Sequence, residues 1–146
     1  MQTVSHILRS KSNQVVHHVA PNAPVKDALK LLAEKGVGAL MVMEGEQIVG
    51  IVSERDYTRK VELMGRSASD TLVRDIMTSS VMCIGPSHSN EQCMALMTEH
   101  RLRHLPVVEN GKLIGLISIG DLVKDIISEQ QFTIQQLEHY IQGARA

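Results

Sequence analysis

Gly50-Ile51-Val52-Ser53-Glu54-Arg55-Asp56 returns later in the chain as Gly115-Leu116-Ile117-Ser118-Ile119-Gly120-Asp121. The offset is 65 residues (50 + 65 = 115). It holds without a gap back through Leu40/Leu105, Glu34/Glu99, Leu31/Leu96, Pro21/Pro86 and Val16/Val81. A register kept over this length marks a duplicated structural unit rather than a recurring turn. Each copy closes on Ser-x-x-Asp directly after an apolar run, so a site built at that corner comes twice.

Working outward, Val4 to Leu8 reads as a short amphipathic helical turn. It recurs as Val73-Arg74-Asp75-Ile76-Met77 at an offset of 69 (4 + 69 = 73). The first linker is therefore four residues longer (69 − 65 = 4), and Arg9-Ser10-Lys11-Ser12-Asn13 reads as the polar loop that holds the extra length. Val15-Val16 and Val81-Met82 begin short extended segments, closed by Pro21 and Pro86.

A helix follows in each copy. Val25, Ala28, Leu29, Leu32 and Ala33 recur at the spacing of one buried face, and Cys93, Met94, Leu96 and Met97 do the same in the second copy. Pro24 suits the first turn of the first helix, where a missing N–H costs little. Next, Ala39-Leu40-Met41-Val42-Met43 is a continuous apolar run, expected of a strand covered on both faces. Glu44-Gly45-Glu46 turns into the strand Gln47–Val52. Leu105–Val108, Glu109-Asn110-Gly111 and Lys112–Ile117 repeat the pattern, with Asn-Gly as a strong hairpin signal. A second helix begins after Ser53 and after Ser118.

The fold class is therefore α/β (α+β): tandem β-α-β-β-α repeats packed with pseudo-two-fold symmetry. The expected division is residues 1–65, residues 66–127 and a C-terminal helix over residues 128–146, with Gly65–Asp70 as the inter-repeat linker.

Composition narrows the function. The 146 residues are 43% hydrophobic, enough for a core. A net charge of −1 without blocks of like charge argues against a nucleic-acid surface. Aromatic residues at 2% leave no stacking platform for single strands. No apolar run reaches the roughly 18 residues of a membrane span, and Met1–His6 lacks the pattern of a secretion signal. Cytoplasmic localisation is expected, with Cys83 and Cys93 as free thiols. His17 and His18 are adjacent on an extended segment and point to opposite faces, which disfavours a shared metal ion. Gly115–Gly120 spells Gly-x-x-Ser-x-Gly, which is neither a nucleophile elbow nor a phosphate-binding loop, so no enzyme activity is expected.

The duplicated Gly-h-h-Ser-x-x-Asp (h, apolar), together with Arg103-His104-Leu105-Pro106-Val107-Val108, resembles the cystathionine β-synthase (CBS) domain pair, or Bateman module. The resemblance runs from about Val4 to Lys124. It implies a regulatory sensor that binds an adenine nucleotide such as AMP, ATP or NAD in clefts between the repeats, with no metal required. The implied ligand-binding residues fall into two sets. One is Leu116, Ser118, Gly120 and Asp121 with Val37, Gly38 and Ala39. The other is Ile51, Ser53, Arg55 and Asp56 with Leu102, Arg103 and His104. In each set the Asp would hold the ribose hydroxyls and the Ser would lie near ribose or phosphate. The resemblance further implies a homodimer and an effector protein that reads the ligand state.

Elementary chemistry supports these assignments. A carboxylate accepts two hydrogen bonds at once and so matches a vicinal diol. A helix start offers N–H groups to a phosphate, and Gly120 would let a ligand approach the backbone. Arg55, Arg101, Arg103 and Lys11 are the candidate phosphate contacts. Against this, Ser53/Asp56 and Ser118/Asp121 also fit plain helix capping, and a protein-interaction scaffold that binds no ligand is the alternative function.

Overall fold

The computed structural model describes residues 2–11 and 15–145. The chain folds as two compact units: Val15–Met82 with Gly111–Leu113, and Met1–Gln14 with Cys83–Asn110 and Ile114–Ala146.

The unit of the first repeat contains β1 (His18–Val19), α2 (Val25–Lys35), β2 (Ala39–Glu44), β3 (Gln47–Ser53) and α3 (Glu54–Tyr57), the last continued by a π-helical turn at Thr58–Glu62. The sheet order is β1-β2-β3. β1 runs parallel to β2 (Val19 opposite Val42), and β2 runs antiparallel to β3 (Ala39 opposite Ser53). The central position of β2 explains its apolar run: Ala39 through Val42 are all buried. α2 packs Val25, Ala28 and Leu32 into a core with Leu40, Val42, Val52, Val61, Val73 and Ile76. Gly36, left-handed at φ +65°, stops α2 and donates its N–H to Leu32 O. The linker folds back on the start of α2, where the Val25 and Lys26 N–H groups donate to Thr71 O (2.8 Å) and Ala68 O (3.0 Å).

The unit of the second repeat contains α1 (Val4–Ser10), α4 (Asn90–His100), β4 (His104–Glu109), β5 (Lys112–Ser118) and α5 (Ile119–Arg145). Its core repeats the first by offset. Ala28, Leu32, Leu40, Val42 and Val52 become Cys93, Met97, Leu105, Val107 and Ile117, all buried. Asn110 and Gly111 both take positive φ (53° and 77°), as the tight Asn-Gly hairpin requires.

The helical turn that precedes each repeat in sequence docks on the other repeat. Val4 and Ser5 N–H groups donate to His88 O (2.8 Å) and Pro86 O (2.9 Å), while Val73 and Arg74 N–H groups donate to Ala23 O and Pro21 O (both 2.9 Å). The donors correspond at offset 69 and the acceptors at offset 65, so one docking geometry is used twice. Gly115 and Gly50 make room for it. A Cβ on Gly115 would stand 2.6 Å from Leu8 Cδ2, and one on Gly50 would stand 2.6 Å from Met77 Sδ.

Several local expectations differ from the structure. The extended segments start later than Val15 and Val81. β1 is His18–Val19, and its counterpart is a single parallel bridge, Ile84 to Val107. Ala33 is exposed, because it lies past the edge of the stripe that ends at Leu32. Pro24 caps α2 from just outside its first turn. Arg9 and Ser10 complete α1 and Lys11 caps it, while Ser12 and Asn13 lie outside the described residues. No break separates residues 119–127 from residues 128–145; α5 is one helix. The compact units also differ from the sequence division, because the first turn belongs with the second repeat.

Candidate functional site

Each Ser-x-x-Asp stands where a strand becomes a helix. At the second corner the Ser118 N–H donates to Asp121 Oδ2 (2.8 Å) and the Asp121 N–H donates to Ser118 Oγ (3.1 Å). At the first corner Ser53 donates both its N–H (2.9 Å) and its hydroxyl (3.1 Å) to Asp56 Oδ2, and the Asp56 N–H returns to Ser53 Oγ (3.3 Å). The reciprocal bonds are a capping box, with Asp in the place more often held by Glu or Gln. Capping is thus one real role of these residues, and it fixes each carboxylate's orientation.

A lysine completes each corner, and the two lysines come from different places. Lys11, at the end of the docked N-terminal turn, sets Nζ 3.0 Å from Asp121 Oδ2 and donates to Leu116 O at 2.7 Å. Lys60, one helical turn after Asp56, sets Nζ 3.1 Å from Asp56 Oδ1 and donates to Ile76 O at 2.8 Å. Lys11 therefore engages a carboxylate and a carbonyl. Lys60 is not among the residues expected from the sequence, although its i,i+4 spacing from Asp56 is a usable signal.

The corners differ in what remains accessible. Both oxygens of Asp56 are engaged. The contacts of Asp121 all fall on Oδ2, so among the described residues Oδ1 has no partner. Gly120 adds open space: a Cβ there would meet only Ser118 Oγ, at an ordinary 3.6 Å.

The start of the second strand lies against the corner of its own repeat. The Ile119 N–H donates to Arg103 O (2.9 Å), and the Glu54 N–H donates to Gly38 O (3.1 Å). His104 is half-buried beside the Asp121 corner. Burial pushes its imidazole pKa below the ordinary value; Asp121 opposes that shift, while Lys11 and Arg103 reinforce it. His104 is thereby favoured as the neutral imidazole, able to offer one donor and one acceptor. Arg55 and Arg103 are exposed; Val37, Leu102, Ile51 and Leu116 are half-buried, and Ala39 is buried. Arg101 has a backbone task. It occupies the left-handed position after α4 (φ 55°), the counterpart of Gly36, and donates its N–H to Met97 O. Asp121 and Val37–Ala39 belong to different compact units, as do Asp56 and Leu102–His104.

Among the described residues no group of three His, Cys, Asp or Glu side chains could hold a metal ion. In the same residues no helix is long and apolar enough to cross a membrane.

These features agree with comparisons to known proteins. The sequence profile of the CBS domain matches residues 4–63 and again residues 73–128. The mitochondrial CBS domain-containing protein CBSX3 of Arabidopsis thaliana is 38% identical over 149 residues, covering 97% of this chain and 72% of that protein. A solved structure of a putative signal-transduction protein with CBS domains from Burkholderia ambifaria is 58% identical with a TM-score of 0.86, covering 91% of this chain and 99% of the other. The structure of CBSX2 in complex with AMP is 30% identical with a TM-score of 0.72, covering 88% and 98%. With the profile matched twice in tandem and the architecture shared, the chain belongs to the CBS domain family as a CBS pair.

Proposed function

We propose that this CBS pair is a regulatory sensor that binds an adenine nucleotide of the AMP, ATP or NAD type, with the Asp121 corner as its stronger site. The observation that carries this reading is the uneven engagement of the two carboxylates. Asp121 is oriented by Ser118 through Oδ2 and keeps Oδ1 for a ribose hydroxyl. Asp56 would first have to release Lys60. The binding of AMP by CBSX2 supports the ligand class. At the Asp121 corner Ser118 and the start of α5 would meet ribose and phosphate, and Lys11 would turn from Asp121 toward the phosphate. The module acts as a homodimer in this reading, and an effector protein reads its ligand-dependent change.

Titration calorimetry with AMP, ATP and NAD tests it. Asp121→Ala should weaken the tighter event at least about tenfold, the worth of one or two hydrogen bonds to a charged group. Asp56→Ala should leave that event in place. Lys11→Met should weaken ATP more than AMP. Equal binding of every nucleotide by wild type and Asp121→Ala refutes the ribose role.

The lysine pairs also favour a second reading, a scaffold whose two corners are satisfied by its own side chains. It predicts that no nucleotide raises the melting temperature.

A further inference from the structure

The inward face of α5 ends early: Leu122 is buried, Asp125, Ile126 and Glu129 are half-buried, and every residue from Gln130 to Gly143 is exposed. That outer stretch is 14 residues (143 − 130 + 1 = 14). It is near the length at which an isolated helix is marginal in water. It nevertheless carries large exposed apolar side chains.

Those side chains follow a heptad. Ile127, Ile134 and Ile141 recur every seven residues, and Val123, Gln130 and Leu137 occupy the companion position, alternating at three and four. Their apolar members are 43% to 57% exposed. At about 100° per residue, this seam lies roughly 110° around the helix from the inward stripe. It runs about 27 Å, from Val123 to Ile141. An amphipathic surface helix has one apolar face toward its core; α5 has a second one, with the 3.5-residue period of a coiled coil.

We infer that the α5 seam pairs with the same seam of a second copy, antiparallel, as a two-stranded coiled coil. This rests on the homodimer part of the proposed function and not on nucleotide binding. The orientation follows from the flanking charges. With the helices antiparallel, Ile127 lies across from the partner's Leu137, Ile141 across from the partner's Val123, and Gln130 across from the partner's Ile134. Lys124 then stands beside the partner's Glu138, and symmetry repeats that pair. In a parallel pairing Lys124 faces the partner's Ile119 and Glu138 faces the partner's Thr133 across the seam, and the charges find no complement. Gln130 in the seam costs stability and fixes the register.

Sedimentation of the full chain across the micromolar range tests the inference. Ile134→Glu should lose one association step, with the dissociation constant raised about a hundredfold because two seam layers are lost. Its melting temperature under dilute conditions should be unchanged, since Ile134 is exposed. Lys124→Glu or Glu138→Lys alone should weaken association about three- to tenfold, and the double reversal should restore it. In a Cys83→Ser background, Gln131→Cys should oxidise to a linked dimer, because residue 131 meets its own copy beside the antiparallel seam. A chain that stays monomeric overturns the inference, as does association indifferent to Ile134→Glu. Linking through Ile134→Cys instead of Gln131→Cys overturns the orientation. None of these results bears on the calorimetry with nucleotides, so the two readings fail separately.

Discussion

Gly115→Ala probes the docking of the N-terminal turn at a single carbon. The new Cβ would stand 2.6 Å from Leu8 Cδ2, 3.0 Å from Cδ1 and 3.4 Å from Cγ. Carbon atoms in contact prefer about 3.5–4.0 Å, so the closest overlap is about 1 Å. Leu8 can turn, but its helix is held by the bonds from Val4 and Ser5, and overpacking of this kind costs about 1–3 kcal/mol. Lower freedom of the unfolded chain returns about 0.5–1 kcal/mol. The net loss should centre on about 1 kcal/mol, read as a lower urea midpoint at unchanged slope. Leu8→Ala alone should also destabilise. The double variant should lose less than the sum by about 1 kcal/mol, because the clash is gone. Gly50→Ala should behave differently. Its Cβ meets Met77 Sδ at 2.6 Å but also the backbone oxygen of Thr78 at 3.0 Å, so Met77→Ala should rescue it only in part. A wild-type midpoint for Gly115→Ala, or strict additivity with Leu8→Ala, would refute the packing argument.

Arg101→Gly should raise the melting temperature: a left-handed residue with a Cβ costs about 1 kcal/mol that glycine avoids, and Gly36 shows that the position accepts it. His104 should make stability depend on pH. With its folded pKa lowered, the unfolded chain binds more protons between the two values, so its contribution is complete above about pH 6.5 and falls as the pH drops below that. His104→Gln should flatten urea midpoints measured from pH 7.5 down to about 5; an unchanged slope there would count against a neutral, desolvated imidazole.

Much of this molecule could be read directly from residue order. The offset of 65 carried the core with it, since Leu40/Leu105, Val42/Val107 and Val52/Ile117 are buried in both copies. Asn110-Gly111 announced its hairpin because Asn and Gly are among the few residues that tolerate the two positive φ angles of such a turn. The Ser-x-x-Asp corners were likewise legible, and their capping geometry follows from local spacing alone. Other features were hidden for physical reasons. Lys11 reaches Asp121 only after the N-terminal turn has docked, and no local pattern encodes a contact spanning 110 residues (121 − 11 = 110). The short strands gave no clear start because two residues are too few to show alternation. The polar run Ser128-Glu129-Gln130-Gln131 masks the continuity of α5, yet Glu and Gln are good helix formers and neither Gly nor Pro intervenes between it and Gly143. Arg101 read as a site charge because glycine, the usual mark of a left-handed helix end, is missing there.

The exchanged turns set an order of events during synthesis. Residues 4–10 leave the ribosome well before the carbonyls that receive them, at Pro86 and His88, are made. Val4 and Ile7, buried in the finished protein, therefore wait uncovered while the first repeat takes shape with its own borrowed turn, Val73–Asp75. A nascent chain halted between the two repeats would be half closed, with a greasy first turn and nowhere to put it.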